Sequence, residues 1–314
     1  MKSLDLEAYS ELLREWKINS VVIYQREKLL GEWYVSGKDS VGPLYSCTKS
    51  ILSVLIGIAI DKGFLTDVDQ PITDYLEHPA EINGALSQIS IKHLLTMTPG
   101  FDWPDFDKPY KDFEAAEDPI QFVFKQPLIS DPGTAFAYNS GGSHLLAAIL
   151  TKAVGMSALS FANEHLFGPL GFHGTRWSDL AGINKGGTGL YLYGRDMARI
   201  GSLVAQRGRF ENKQIVSSSW VDESTMLHHK GLLQYEPPIY GGFGYHWWHS
   251  PVSHNGQCEC YFAFGHGGQY LLIVPEHELV IVVRKKVTKR NDAIYARRLI
   301  FEHIIPDYMA VSVH

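Results

Sequence analysis

Cysteine is scarce in this chain. Its three cysteines, Cys47, Cys258 and Cys260, cannot all pair, and a Cys-x-Cys bridge would close a strained ring. Reduced thiols and a cytoplasmic setting are therefore expected. Long hydrophobic runs are missing too. The longest, Ile51 to Ile60, is about half of what a membrane span requires. The opening "MKSLDLEAYSELLREW" has neither the basic start nor the apolar core of a secretory signal, so export is not expected. Blocks of like charge are also lacking; the nearest, "RKKVTKR" (Arg284 to Arg290), reads as a solvated strand end and loop. Acidic residues (34) exceed basic ones (28) by only 6, which argues against nucleic acid or an anionic membrane as the main partner. No internal repeat or low-complexity tract is evident.

With 45% of its 314 residues apolar, the chain is globular and long enough for a large core or for two lobes that share one. After a first amphipathic helix, "NSVVIYQREKLLGEWYV" predicts two strands around a polar turn at Arg26 to Lys28. Residues 47 to 62 predict a helix that is apolar on nearly every face, hence interior, with Gly63 as its left-handed stop. From about Phe64 to Thr188 short helices broken by Pro and Gly predominate. Two further helices follow, the second opened by "SSSWVDE", where Ser219 and Asp222 form a capping-box pattern. "MLHHK" (Met226 to Lys230) suits a helix end. Then come the strand-like runs "GFGYHWW", "CYFAFG", "QYLLIVP" and "LVIVVRKK", and a last helix near 291 to 304. The fold class expected is α+β: an antiparallel sheet flanked by helices, built from 1–63 and 189–314, with an inserted mainly helical lobe at 64–188 and a site in the cleft between them.

Three stretches carry chemistry. In "SCTK", Ser46 and Lys49 stand three apart at the start of the buried helix, on one face, so the amine can take the hydroxyl proton. Burial disfavours the ammonium and poises Lys49 as a base. A Ser-x-x-Lys arises by chance about once in a chain of this length, but a lysine entering a buried helix needs a reason. In "FAYNSGGSHLL", Tyr138, Asn139 and Ser140 lie in a Gly-rich turn before a helix. Tyr138 is either a packing residue or, if it reaches Ser46, a proton shuttle. In "FGHGGQYLLIV", His266, Gly267 and Gly268 lead into a strand. They form either a plain hairpin end or an edge where substrate lies against backbone N–H groups.

"SCTK", "YNS" and "HGG", in that order, resemble the three motifs of the serine β-lactamase and penicillin-binding protein superfamily. The likeness is to the class C β-lactamase-like branch, with its family VIII carboxylesterases, D-alanyl-D-alanine peptidases and 6-aminohexanoate-dimer hydrolases. "IKHLLTMTPGF", "LFGPLGF" and "GLYLYGRDMARIG" extend it over most of the chain. The resemblance implies a β-lactamase/transpeptidase-like fold and a hydrolase that needs no cofactor and acts on a small ester or amide. Ser46 would be the acylated nucleophile, Lys49 its base and Tyr138 the proton shuttle. Ser46 and Gln269 would supply the oxyanion hole, and Asn139, Ser140, His266, Gly267 and Gly268 the substrate contacts. Two departures stand out. Ser140 replaces the family's Asn, and His266 replaces its commoner Lys, which favours a neutral substrate over an antibiotic. The altered second motif leaves an alternative open, a protein that acylates without turning over.

His246, His249, His254, Cys258 and Cys260 fall within a short span, yet no Cys-x-x-Cys or His-x-x-x-His pair occurs there, so no metal is expected. Cys47, one residue on from Ser46, turns off the Ser46 and Lys49 face. Trp103, Tyr191, Trp247 and Trp248 are core residues or pocket walls, and the strand favours core for the Trp247 and Trp248 pair.

Overall fold

The computed structural model describes residues 4–78, 83–103, 105, 108–234, 238–288 and 290–312. Strands β1 (Ile18–Gln25) and β2 (Lys28–Tyr34) make a hairpin over the expected polar turn. Six more strands come from far along the chain: β3 (His229–Lys230), β4 (Gly242–Phe243), β5 (Trp248–Ser250), β6 (Cys260–Gly265), β7 (Gln269–Val274) and β8 (Leu279–Lys285). Among the described residues they form one sheet in the order β3-β4-β5-β6-β7-β8-β1-β2, antiparallel throughout. Toward one side of the sheet, next to the edge strand β2, β8 lies along β1, with Val21 opposite Val283 and Ile23 opposite Ile281.

Both faces of this pair are buried, which is why its strands are almost wholly apolar. Val22, Val280 and Val282 point into one core, and Val21, Ile23, Ile281 and Val283 into the other. The first core also receives helices α2 (Cys47–Asp61) and α3 (Ser140–Val154), while α4 (Gly194–Ala205) packs on β1, β7 and β8. The second is closed by α1 (Ser10–Glu15) and the C-terminal helices.

Helix α2 is buried from Cys47 to Ala59 and stops at Gly63, which takes φ +75°. Burying each of Ile51, Leu52, Leu55 and Ile58 contributes roughly 1.5–3 kcal/mol. That anchors the helix whatever happens at its polar start. Just upstream, Gly42–Pro43 pairs with Leu190–Leu192 and ties the approach to Ser46 to the segment after Gly187.

Several local expectations are corrected. The helix Ser218–Thr225 is capped by Ser217, whose hydroxyl accepts from the Trp220 N–H, and not by Ser219; the hydroxyl nearest the true helix start wins the cap. "MLHHK" is a helix end only in its first part: Met226 is the C-cap of that helix and His228 contacts the Glu223 carbonyl, but His229 and Lys230 form β3. "GFGYHWW" is two strands, because His246 takes φ +61° and breaks the run. In "RKKVTKR", Arg284 and Lys285 are buried rather than solvated. Arg284 donates to the Ser40 carbonyl (2.6 Å) and faces Asp39 (3.7 Å), in space that a Cβ on Gly42 would fill. Lys289 lies outside the described residues. The last helix continues through a π-helical stretch, Leu299–Ile304, to Ser312. No single described helix is long and apolar enough to cross a membrane.

Candidate active site

Ser46 sits at the first turn of α2, directly after Tyr45, which is held at φ +48°. Such a left-handed non-glycine residue is costly; here it turns the chain sharply into the buried helix. The Ser46 hydroxyl makes no cap bond. The next three amides, of Cys47, Thr48 and Lys49, bond to the carbonyls of Leu44, Tyr45 and Ser46 at 3.2, 3.0 and 3.0 Å. They are thus spent locally, and an oxyanion contact at this end rests on the Ser46 N–H itself.

Lys49 is 2% exposed, and its Nζ has three neighbours. It donates to Ser140 Oγ at 3.0 Å and to the Gly187 carbonyl at 2.9 Å, and lies 3.3 Å from Ser46 Oγ. Burial pulls the Lys49 pKa from 10.5 down to about 8, against the opposing charge of Asp105. Nζ also lies 4.9 Å from the centre of the Tyr138 ring. Tyr138 shares a hydrogen bond with Ser46, stacks on Trp248 at 5.8 Å, and has its phenol pKa pushed up, mainly by burial. Ser46 and Lys49, read from one motif, and Tyr138, read from another, therefore meet in one place.

The turn after Tyr138 divides its duties. Ser140 faces Lys49, whereas Asn139 is 1% exposed and its Oδ1 accepts from the Gly142 N–H at 2.7 Å as the cap of α3. Asn139, expected at the substrate, is thereby turned into the fold, since an asparagine at that position caps well. On the other wall, the β6–β7 hairpin brings Gln269 close: Cys47 Sγ donates to the Gln269 carbonyl at 3.5 Å. Gln269 is buried, with its side chain bridging the Lys285 backbone at 2.8 and 3.2 Å. Its side chain is thus a strut, which leaves only its backbone for the role expected of it. His266 is exposed at the hairpin tip, edge-on to the Tyr45 ring at 5.6 Å.

Gly267 and Gly268 take φ +77° and +99°. A Cβ on Gly268 would lie 3.0 Å from the Ala296 Cβ. Gly268→Ala is accordingly expected to lower stability by about 1–3 kcal/mol and to raise KM by moving the hairpin tip. Urea unfolding and steady-state kinetics check the two effects.

The sequence reading missed four participants. Asp105 accepts from the Ser140 N–H (3.0 Å), the Ser140 hydroxyl (2.9 Å) and the Trp103 indole N–H (2.7 Å). Gly187 supplies a carbonyl to Lys49, and a Cβ there would sit 3.1 Å from the Ser140 Cβ and 3.2 Å from Lys49 Nζ. Trp248, expected in the core, is buried and also backs Tyr138. His246 is no metal ligand here: its Nδ1 donates to the Lys49 carbonyl at 3.1 Å and its Nε2 lies 3.3 Å from Ser143 Oγ. Burial brings its pKa down to about 3, so it props α2 as a neutral ring. His249 pairs with Glu259 at 2.7 Å, and no group of three or more metal-ligating side chains is assembled among the described residues. Cys47 is buried with its thiol pKa pushed up.

A family model described as Beta-lactamase matches residues 20–304. A 6-aminohexanoate-dimer hydrolase of Paenarthrobacter ureafaciens is 25% identical over 236 residues, which are 69% of this chain and 59% of that protein. The chain thus spans less than two thirds of that relative's length. Among solved structures, EstCE1, a hydrolase with promiscuous acyltransferase activity, aligns with a TM-score of 0.76 at 15% identity, over 94% of this chain and 97% of its own. The octameric penicillin-binding protein homologue from Pyrococcus abyssi aligns with a TM-score of 0.70 at 18% identity, over 95% and 77%. At such identities the structural likeness concerns the fold, which is the α+β fold of the β-lactamase/transpeptidase type.

Proposed function

This chain belongs to the β-lactamase family, and on that premise we propose that it is a serine hydrolase that cleaves an ester or amide through an acyl-enzyme on Ser46. Lys49 in its neutral form takes the Ser46 proton as Oγ attacks the substrate carbonyl. The N–H groups of Ser46 and Gln269 hold the oxyanion. Tyr138, hydrogen-bonded to Ser46 and with its ring face toward Lys49, passes the proton to the leaving alcohol or amine, and the bond to the leaving group breaks. Water then attacks the acyl carbonyl, gives up a proton along the same route, and releases the acid with Ser46 restored.

The observation that carries this reading is the 3.3 Å contact of Lys49 Nζ with Ser46 Oγ, in a setting where burial brings the amine to about 8. A lysine kept at its ordinary pKa would be protonated and could not act as a base at neutral pH. An exposed His266 in place of a lysine, on a chain of net charge -6, offers little to the carboxylate of a β-lactam. Neutral substrates are therefore preferred.

The test is intact mass after treatment with a fluorophosphonate, beside turnover of p-nitrophenyl acetate and of nitrocefin. One adduct on Ser46, with the ester turned over faster than nitrocefin, is the expected result. Faster nitrocefin turnover overturns the substrate preference. A stable adduct without turnover would identify an acylation-only protein, and no adduct at Ser46 would end both readings.

A further inference from the structure

We propose that Asp105 is a positioning residue that fixes the direction of the hydrogen bonds around Lys49, so that the one uncommitted position on the amine faces Ser46; this rests on the acyl-enzyme reading above. Three donors converge on Asp105. Its Oδ1 takes the N–H of Ser140 (3.0 Å) and the indole N–H of Trp103 (2.7 Å), and its Oδ2 takes the hydroxyl of Ser140 (2.9 Å). A carboxylate only accepts, so the hydroxyl proton of Ser140 points at Asp105. Ser140 Oγ must then accept from Lys49 Nζ at 3.0 Å. The Gly187 carbonyl, at 2.9 Å, can likewise only accept. A neutral amine has two N–H bonds and one lone pair. Both N–H bonds are committed, and the lone pair is left for Ser46 Oγ, 3.3 Å away. A third group that orients the base through its far side recurs in nucleophilic sites.

The two oxygens of Asp105 separate this role from a structural one. Capping the first amide of α3 uses Oδ1 alone, whereas orienting Lys49 uses Oδ2. In Asp105→Asn the amide oxygen stays at the Oδ1 position, because the flipped form would set an NH2 group against two N–H donors. The NH2 group then donates to Ser140 Oγ. The Ser140 proton swings to Lys49 and occupies the lone pair that Ser46 needs. The variant also removes a negative charge that favours the ammonium, so Lys49 loses its proton at lower pH.

The experiment follows kcat/KM for p-nitrophenyl acetate across the acid limb of the pH profile, with melting curves, for wild type, Asp105→Asn, Ser140→Ala, the double variant and Ser46→Ala. Asp105→Asn is expected to lose about 10²- to 10³-fold in kcat/KM, with its acid limb moved to lower pH. Ser140→Ala, which keeps the backbone cap, is expected to fall similarly with its limb unmoved. Because both act through one chain, the double variant is expected to be no worse than Ser140→Ala. A wild-type rate in Asp105→Asn, an unmoved limb, or fully additive losses would overturn the proposal. Should Asp105→Asn melt early, the rate and limb of Ser140→Ala decide by themselves: a wild-type rate overturns the proposal. Turnover that survives in Ser46→Ala would sink the acyl-enzyme reading first, and the two failures are thereby told apart.

Discussion

Ser46→Ala is expected to turn over p-nitrophenyl acetate about 10⁶-fold more slowly than wild type, the scale at which loss of a nucleophile removes a whole catalytic unit. No neighbour can take over. Cys47 is the nearest rival, but its thiol is held against the Gln269 carbonyl and burial pushes its pKa up, which leaves almost no thiolate. Ser140 is in reach of Lys49, yet its proton is engaged by Asp105. The fold is expected to survive, with a stability change under about 1 kcal/mol, because the hydroxyl caps nothing. Intact mass should show no fluorophosphonate adduct. Residual turnover within tenfold of wild type would mean that the bond is broken elsewhere.

Lys49→Met carries the second large effect, about 10⁴-fold in kcat/KM, the upper range for a general base. It also changes how stability responds to pH. In the fold Lys49 loses its proton near 8, against 10.5 without burial. Below the lower value both folded and unfolded chains carry the charge, and the penalty for burying it is fully present. Between the two values the unfolded chain still holds a proton that the fold has released, so stability rises with pH. The rise amounts to at most about 3 kcal/mol. Lys49→Met lacks it. Urea unfolding of both proteins at pH values on either side of that window measures the difference, and common titrations of tyrosines such as Tyr9 and Tyr110 cancel. Equal pH slopes would show that Lys49 is not held neutral by burial.

The elements of the fold were legible where the pattern is local. The apolar helix from Cys47, its stop at Gly63 and the strands from Cys260 to Lys285 follow from spacing and composition alone. At the site, "SCTK" was legible because Ser46 and Lys49, whose side chains meet, lie three apart. Asp105 was not. It touches Ser140 across 35 residues of chain, and an acid within "FDWPDFDKP" looks like any loop carboxylate. One signal was available: a helix that starts "NSGG" has no acidic residue in its first turn, and such a helix gains from a carboxylate brought in from elsewhere. His246 was noticed for its ring nitrogens and grouped with histidines and cysteines nearby in sequence. Its partners lie on α2 and α3, 197 and 103 residues away respectively, and no spacing rule reaches so far. Arg284 misled for the opposite reason, since a run of basic residues hides which of them has a half-buried acid waiting.

The pairing of β1 with β8 sets an order of events. Gln25 meets Leu279, so the chain must close a loop of more than two hundred residues before its earliest long strand has a second neighbour. Contacts of such separation form late and slow the folding rate. During synthesis β1 and β2 wait as a hairpin with an open edge, a form prone to pair wrongly. Ser46 and Lys49 are made early, but the wall that carries Gln269 arrives only with the last strands. A growing chain thus holds Ser46 beside Lys49 long before it holds the backbone of Gln269 opposite them, and the site is assembled only at the end of folding.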